Sequence, residues 1–405
     1  MEKVSTIRLK TQKAIWMEFD RITDNALKQL LETFMEEERD QMLACGRYER
    51  SRGRQGYRNG YESRFLETRK GRIRLRVPRV RGREAPLRSL VFDAYQRRSR
   101  DIEEAVEHWI AAGQSTRVIE QSLQLAFDCM FSASTISRIL AKVDRELAVF
   151  HRRSLGHGYK VIFLDAKHGD LCRRRRSGRR GKKKKGVLLT CWGIRHEGTE
   201  ELVDFMACEG GESEENWTRF LTQLQQRGLK RRNPWQMPLE IIATDGDGGL
   251  EAALLTVYPH VPKQRCVFHK VQAIARHLRN QENRKAILAS ASAIYERIRT
   301  PQEARANLQE WVTLWQQLEP YAVKNFCEDF ERTLLYLHLS KEMWSRVRTT
   351  NPLERFHLEL ERAAGHVGAW QHRKSWERHV FVIWRRLKRS GYQPVRAQKL
   401  FTRNS

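Results

Sequence analysis

Between residues 239 and 269 the chain reads LEIIATDGDGGLEAALLTVYPHVPKQRCVFH, and its apolar period changes twice. Leu239, Ile241, Ile242 and Ala243 make a short apolar run with β-branched residues, which predicts a strand. Thr244-Asp245-Gly246 ends it in a turn that Gly makes at no steric cost, so Asp245 stands at the strand's carboxyl end. From Gly249 the apolar residues Leu250, Ala253, Leu254 and Val257 fall on one helical stripe, which Pro259 stops. A second strand is expected over residues 265–268, ending on His269. A carboxylate at the carboxyl edge of a strand flanked by helices is where α/β folds place their chemistry.

The rest of the chain supplies a setting for that segment. Its 405 residues, 40% of them hydrophobic, suffice for two or three domains with real cores. A formal net charge of +27 exceeds what solubility requires and predicts an extended polyanion as partner, nucleic acid before membrane. No apolar run reaches the roughly 20 residues needed to span a bilayer, and Glu2, Arg8 and Lys10 open the chain without a signal-peptide core. A soluble, intracellular protein is expected. Seven scattered cysteines, with no Cys-x-x-Cys pair, predict reduced thiols.

Residues 1–45 carry helical spacing at Ile15, Phe19, Ile22, Leu27, Leu30, Leu31 and Phe34. Residues 46–155 are expected to form a basic DNA-binding region. Its first part, 46–100, holds 18 Lys or Arg against 5 acidic residues, and Arg72-Ile73-Arg74-Leu75-Arg76-Val77 alternates as a strand with one basic and one apolar face. Uncompensated Arg in that number favours phosphate contact over a merely solvated face. Three helices follow over 101–150, broken at Gly113 and restarted by Ser115 and by Ser132 or Ser134. They fit a helix-turn-helix presenting Ser134, Thr135, Ser137 and Arg138 to a groove, and equally a plain three-helix packing unit.

Val161, Ile162, Phe163 and Leu164 predict a buried central strand ending in Asp165. The run RRRRSGRRGKKKK, 173–185, has ten basic residues in thirteen and cannot sit in a core. It must be a hairpin tip between that strand and the next, 187–194. A nuclear-import signal is one reading; a phosphate clamp, with Arg173, Arg174, Arg175, Arg176, Lys182, Lys183, Lys184 and Lys185, is the other. A third strand, 201–207, precedes a helix capped by Ser213 and carrying Trp217, Phe220, Leu221 and Leu224. The order strand, strand, strand, helix, strand, helix, strand is that of the ribonuclease H fold. There the ends of the first and fourth strands lie side by side, so Asp165 and Asp245 could share one metal cluster.

The core's first part is thus 156–269, followed by an all-helical insertion, 270–345, and completed by 346–405. In the last segment, RVRTTNPLERFHLELERAAG makes Asn351 an N-cap, Pro352 the first helical residue and Glu354 a capping-box carboxylate three residues on. Spacing alone leaves Glu354 evenly divided between capping and catalysis. A final helix, 376–387, mixes Val380, Ile383 and Trp384 with Arg385, Arg386, Lys388 and Arg389 around its end.

In the motifs GYRNGYESR (56–64), VPRVRGR (77–83), GQSTRVIE (113–120), FLDAKH (163–168), ENWTRFLTQLQQRGL (215–229), TDGDGGLEAAL (244–254), QRCVFHK (264–270) and RTTNPLER (348–355), the chain resembles the Mutator-type DDE transposases, which include many bacterial insertion-sequence transposases. Their order and spacing carry the resemblance. It implies that Asp165, Asp245 and Glu354 are a catalytic triad, that Cys266 and His269 are a Cys-x-x-His signature near it, and that Trp344 supports it ten residues before Glu354. Arg138 and Arg348 join the basic run as expected DNA contacts. Two Mg2+ ions per site, replaceable by Mn2+, are the implied cofactor, since hard cations choose carboxylate oxygens. His269 would orient a phosphate or leaving group, or serve as a hydrogen-bonded structural residue. Cys266 and His269 alone are half a tetrahedral zinc site. The implied partners are double-stranded DNA, both terminal inverted repeats and target, and further copies of the chain, in the cytoplasm of a prokaryote at its nucleoid. A ribonuclease H-like nuclease or resolvase, and a non-catalytic DNA binder derived from a transposase, are the rival readings.

Overall fold

The computed structural model describes residues 2–49, 51–68, 71–82, 89, 100–126, 133–156, 158–174, 180–229, 238–365 and 367–392. Within these ranges it does not describe the side chains of residues 2–11, 13, 20, 71, 100, 101, 125, 126, 133–135, 173, 174 and 180–182. The chain divides into two compact units, Met1–Lys142 and Val143–Ser405.

In the first unit, helix α1 (Glu2–Leu43) packs on a hairpin of β1 (Tyr57–Thr68) and β2 (Gly71–Arg81). The alternation in β2 puts Ile73 and Leu75 in a small core with Met35 and Leu66, against which Leu27, Leu31 and Val77 pack. Arg72, Arg74 and Arg76 take the open face, where Arg72 stacks on Phe65 and Arg76 on Tyr61. Only part of the apolar stripe on α1 is buried, because Ile15, Phe19, Ile22, Leu30 and Phe34 stay exposed. Helices α2 (Arg100–Ala111), α3 (Thr116–Ala126) and α4 (Ala133–Arg152) bury Ile102, Val106, Ile110, Ile119, Leu123, Ile136 and Ile139. Gly113, at φ +71, ends the first helical stripe, and Ser115 accepts from the Val118 N–H at 3.3 Å to open α3. Ser132 lies outside the described residues, as do the side chains of Ser134 and Thr135.

The second unit is built on a five-stranded sheet in the order β5-β4-β3-β6-β7. β3 (Tyr159–Arg174), β4 (Arg180–Arg195) and β5 (Glu200–Glu209) form an antiparallel meander. β6 (Ile241–Thr244) joins β3 in parallel, and β7 (Lys263–Arg265) joins β6 in parallel. The sheet is covered on both faces, which explains its near-continuous apolar strands. Ile162, Leu164, Val187, Leu189 and Ile242 pack against α5 (Glu214–Gln226) and α6 (Gly248–Val257), which contribute Trp217, Phe220, Leu221, Leu250 and Leu254. On the opposite face Trp192 meets Phe356 of α12 (Asn351–Ala364) and Trp384 of α13 (Arg373–Arg389), with ring centroids 5.8 and 5.4 Å away.

Two strand boundaries differ from expectation, and each has a pairing reason. β3 does not end at Asp165, because β4 continues to pair with it from Asp165↔Thr190 to Arg174↔Arg180. The other edge of that extension is held by Trp370, whose N–H donates to Asp170 O at 2.8 Å and whose carbonyl accepts from Cys172 N at 2.7 Å. Gly169 lies so close under Trp376 that a Cβ there would meet its ring at 2.7 Å. Conversely, β7 stops at Arg265, because its partner β6 stops at Thr244. Phe268 and His269 therefore sit on helix α7 (Val267–Ile274), not on a strand, with Cys266 at its N-cap.

From α7 the chain continues through α8 (Arg284–Ala293), α9 (Pro301–Trp315), α10 (Pro320–Cys327), a 3₁₀ segment (Phe330–His338) and α11 (Lys341–Val347). An aromatic cluster centres on Phe326, 4.8 Å from Trp311 and 5.8 Å from Phe330 between ring centroids. Gln264 of β7 ties this helical segment to the sheet, donating to Thr333 O and accepting from Tyr336 N, both at 2.9 Å. Among the described residues, no helix is long and apolar enough to cross a membrane.

Candidate active site

Leu164↔Thr244 is the last parallel pair between β3 and β6, so the next residue on each strand is an aspartate: Asp165 and Asp245. Asp165 faces Thr190 across β4, on the sheet face covered by α12. There His357 lies between them, its Nδ1 3.4 Å from Asp165 Oδ2 and its Nε2 3.1 Å from Thr190 Oγ1. The other carboxylate oxygen of Asp165 accepts from the Ala166 N–H at 2.8 Å. Two fixed partners define its rotamer.

Asp245 accepts from the Asp247 N–H at 3.1 Å, and Asp247 in turn caps α6 through Gly249 N and Leu250 N. Burial raises the Asp245 carboxyl above its ordinary range, and the charge of Asp165 raises it further. The Asp247 N–H, His269 and Arg265 pull it back. Gly246 makes this turn at φ +81, and a Cβ there would fall 0.7 Å from Arg265 Nη1. Glycine is required twice over, by the left-handed backbone and by the guanidinium lying across it.

Glu354 does not close a capping box. Helix α12 begins at Asn351 with Thr350 as its N-cap, so Glu354 lies one position too far along to reach back to the capping N–H. Its carboxylate instead accepts from Thr350 Oγ1 at 3.1 Å and faces His269 Nε2 at 3.9 Å. Thr350 Oγ1 is also 3.4 Å from Cys266 Sγ and 3.4 Å from His269 Nδ1. Burial opposes charge on His269, but the Cys266 sulfur, Glu354 and Asp245 outweigh it and push the imidazole up to about 9. His269 thus faces acidic groups from both halves of the expected triad.

The three carboxylates are not one tight cluster. Among the described residues, Cys266, His269 and Glu354 are the group whose ligand atoms lie within 4.8 Å of one another, and neither aspartate belongs to it. Asp165 and Asp245 form a pair, and Glu354 reaches them through His269 and through His357, one turn further along α12.

Sequence reading missed three participants. Glu212, between β5 and α5, accepts from Trp217 Nε1 at 3.0 Å; burial first, then the charges of Asp247, Asp245 and Asp165, push it up to about 7. No spacing signal marks it. His357 could have been found three residues after Glu354, on the same helical face. Thr350 was hidden behind the stronger capping residue Asn351.

The remaining expected residues are scattered. Trp344 donates to Leu339 O at 2.9 Å and meets Tyr336 edge-on at 6.2 Å. Arg348 is half-buried and faces the Tyr336 hydroxyl. Arg138 is exposed on α4. Lys183, Lys184 and Lys185 are exposed on β4, the first 3.4 Å from Asp170 and the second 2.7 Å from Glu209. Arg173, Arg174 and Lys182 lie in the same two strands without described side chains, and Arg175 and Arg176 lie outside the described residues. On α13, Arg378 and Lys374 pair with Asp144 and Arg385 with Glu146, so much of its basic side packs against acids.

Against known proteins, the family model described as "Transposase, Mutator family" matches residues 1–390. The transposase for insertion sequence element ISRM5 of Rhizobium meliloti (strain 1021) is 30% identical over 342 residues, 84% of this chain and 81% of its own. The transposase for IS406 of Burkholderia multivorans (strain ATCC 17616 / 249) is 31% identical over 342 residues, 83% of each chain. That for IS256 in transposon Tn4001 of Staphylococcus aureus is 27% identical over 348 residues, 85% of this chain and 84% of its own.

Proposed function

Since the chain belongs to the Mutator family of transposases, we propose that it is a DDE transposase. In this reading it hydrolyses a phosphodiester at each terminal inverted repeat of its element, and the freed 3′-hydroxyl attacks a target phosphodiester. The sheet with its flanking helices is then a ribonuclease H-like core, α2–α4 a DNA-contacting region with Ser137 and Arg138 exposed on α4, and the working form a dimer or larger assembly that holds two DNA ends.

The observation that carries this reading is the pairing of Asp165 with Asp245 by the last parallel register of β3 and β6. A chain with 76 Lys and Arg against 49 Asp and Glu here sets partly buried like charges side by side, which costs stability unless a cation joins them. Oxygen donors of this kind fit Mg2+ or Mn2+. When bound, such ions activate the attacking oxygen and stabilise the leaving one. Asp165 and Asp245 would hold them, with Glu354 closing the set from α12. His357 locks the rotamer of Asp165 against Thr190. His269, cationic at neutral pH, lies where it can hold a phosphate oxygen or the departing 3′-oxygen beside Glu354.

The test is nicking of a duplex that carries the element's own ends in Mg2+ buffer. Asp165→Asn, Asp245→Asn and Glu354→Gln should each lower the rate at least a hundredfold while end binding persists. Wild-type nicking by Asp245→Asn would refute the assignment. Transfer of the cut end into a second duplex separates a transposase from a simple nuclease.

A further inference from the structure

Cys266, His269 and Glu354 offer a sulfur, a nitrogen and an oxygen within 4.8 Å of one another. We propose that they form a binding site for a thiophilic divalent cation of the zinc type, separate from the aspartate pair, and that an ion bound there withdraws Glu354 from Asp165 and Asp245. The withdrawal rests on the transposase reading; the site itself does not.

Donor chemistry and placement carry the proposal. A thiolate, an imidazole and a carboxylate suit Zn2+ and not Mg2+, which avoids sulfur and keeps oxygen ligands. His269 Nε2 and Glu354 Oε1 are 3.9 Å apart. Donors about 2.0–2.3 Å from a tetrahedral ion lie roughly 3.3–3.8 Å from each other, so the set needs only small closure. Cys266 and His269 are held three residues apart at the start of α7, and Glu354 one turn into α12, so two helices fix all three. Val267 N donates to Arg348 O at 3.1 Å and binds the two segments together.

One hydroxyl ties the three side chains together. The Thr350 hydroxyl lies 3.4 Å from Cys266 Sγ, 3.4 Å from His269 Nδ1 and 3.1 Å from Glu354 Oε1, so all three donor atoms converge on one point. A cation would serve all three, while the Thr350 N–H, 3.4 Å from Cys266 Sγ, supports the thiolate from behind. Burial of Cys266 shields the sulfur, whereas His269 and Glu354 are about one-third exposed and give the ion its entry. Binding releases the protons of the Cys266 thiol and of the His269 imidazolium to solvent.

The experiment is a Co2+ titration of the full-length protein, followed by absorption and competed with Zn2+. Wild type should show thiolate-to-cobalt charge transfer in the near ultraviolet, lost on adding Zn2+. Cys266→Ser should abolish that band. Glu354→Gln, at a position about one-third exposed, should weaken Co2+ binding at least tenfold. Asp165→Asn should leave the band and its affinity unchanged. A band that is absent in wild type, survives Cys266→Ser or disappears in Asp165→Asn would overturn the proposal. In the nicking assay, micromolar Zn2+ should inhibit wild type in excess Mg2+; full activity with Zn2+ bound would refute the withdrawal of Glu354. An inactive wild type that still gives the charge-transfer band would count against the transposase reading and leave the metal site standing.

Discussion

Replacing Glu212 by Gln should make the protein more stable, and by an amount that depends on pH in a calculable way. The side chain is 13% exposed, and its carboxyl is pushed from 4.5 up to about 7, first by burial and then by Asp247, Asp245 and Asp165. In the unfolded chain it loses its proton near 4.5; in the folded protein it keeps it until about 7. Between these values the folded state binds more protons, so stability falls as pH rises through the window. At about 1.4 kcal/mol per pH unit, the penalty grows to roughly 3 kcal/mol by neutral pH and then levels off. Gln keeps an amide oxygen for Trp217 Nε1 and carries no charge, so Glu212→Gln removes the penalty and gives up only the contact with the exposed His168, 3.9 Å away. Urea unfolding of both proteins in EDTA, at intervals from pH 4 to 8, measures the difference. It should be near zero at the acid end and about 3 kcal/mol in favour of the variant above pH 7. A difference that stays flat across the window would refute the reasoning, because it would mean that neither burial nor the neighbouring carboxylates raise Glu212. Adding Mg2+ at pH 8 should stabilise wild type more than Glu212→Gln.

Other substitutions probe other parts of the argument. Gly246→Ala forces a side chain into φ +81 and displaces Arg265; chemical denaturation should show a loss of at least about 1–2 kcal/mol, and a neutral result would contradict the described turn. Glu319 is fully buried and accepts from Arg279 N, Asn280 N and Asn283 Nδ2; burial raises its carboxyl, but these three donors hold it below the ordinary range. Its contribution is therefore present above pH 4.5 and lost on acidification, and Glu319→Ala should cost about 2–4 kcal/mol at pH 7, measured by urea unfolding. Changing Lys183, Lys184 and Lys185 together to Ala should leave folding nearly unaffected, since their ion pairs are exposed. In filter binding to DNA, the slope of log K against log salt should fall by up to about 3, with little change in sequence preference.

The segment over β6 and α6 was legible because two periods of apolar residues are separated by an Asp-Gly turn, and each period needs a different backbone. The meander was legible for the same reason, as continuous apolar strands have no stable place but a covered sheet. Strand ends were not legible, since they depend on the neighbour. β3 runs past Asp165 because β4 is there to pair with it, and β7 stops short of His269 because β6 has already ended. Glu354 shows the same limit at a helix end. Asn351 and Pro352 suggest a cap on sequence, yet the structure starts α12 one residue earlier and frees the carboxylate. Glu212 was invisible, because only tertiary packing brings it to the aspartates.

The β3–β4 hairpin carries one more consequence. From Asp165 to Arg174 the strand advances nine residues, paired on one edge by β4 and pinned on the other by Trp370. Because β5 pairs with β4 as far as Gly186, opposite Gly169, the two-stranded part is the stretch from Asp170 to Arg174, about 13 Å at 3.3 Å per residue. Stacked bases repeat about every 3.4 Å, so such an arm spans about four of them. On the transposase reading it would act as a ruler: backbone phosphates gripped at its far end would be protected from chemical attack at a set spacing from the cut, and shortening the arm by two residues on each strand would move that protected patch inward by about two base pairs.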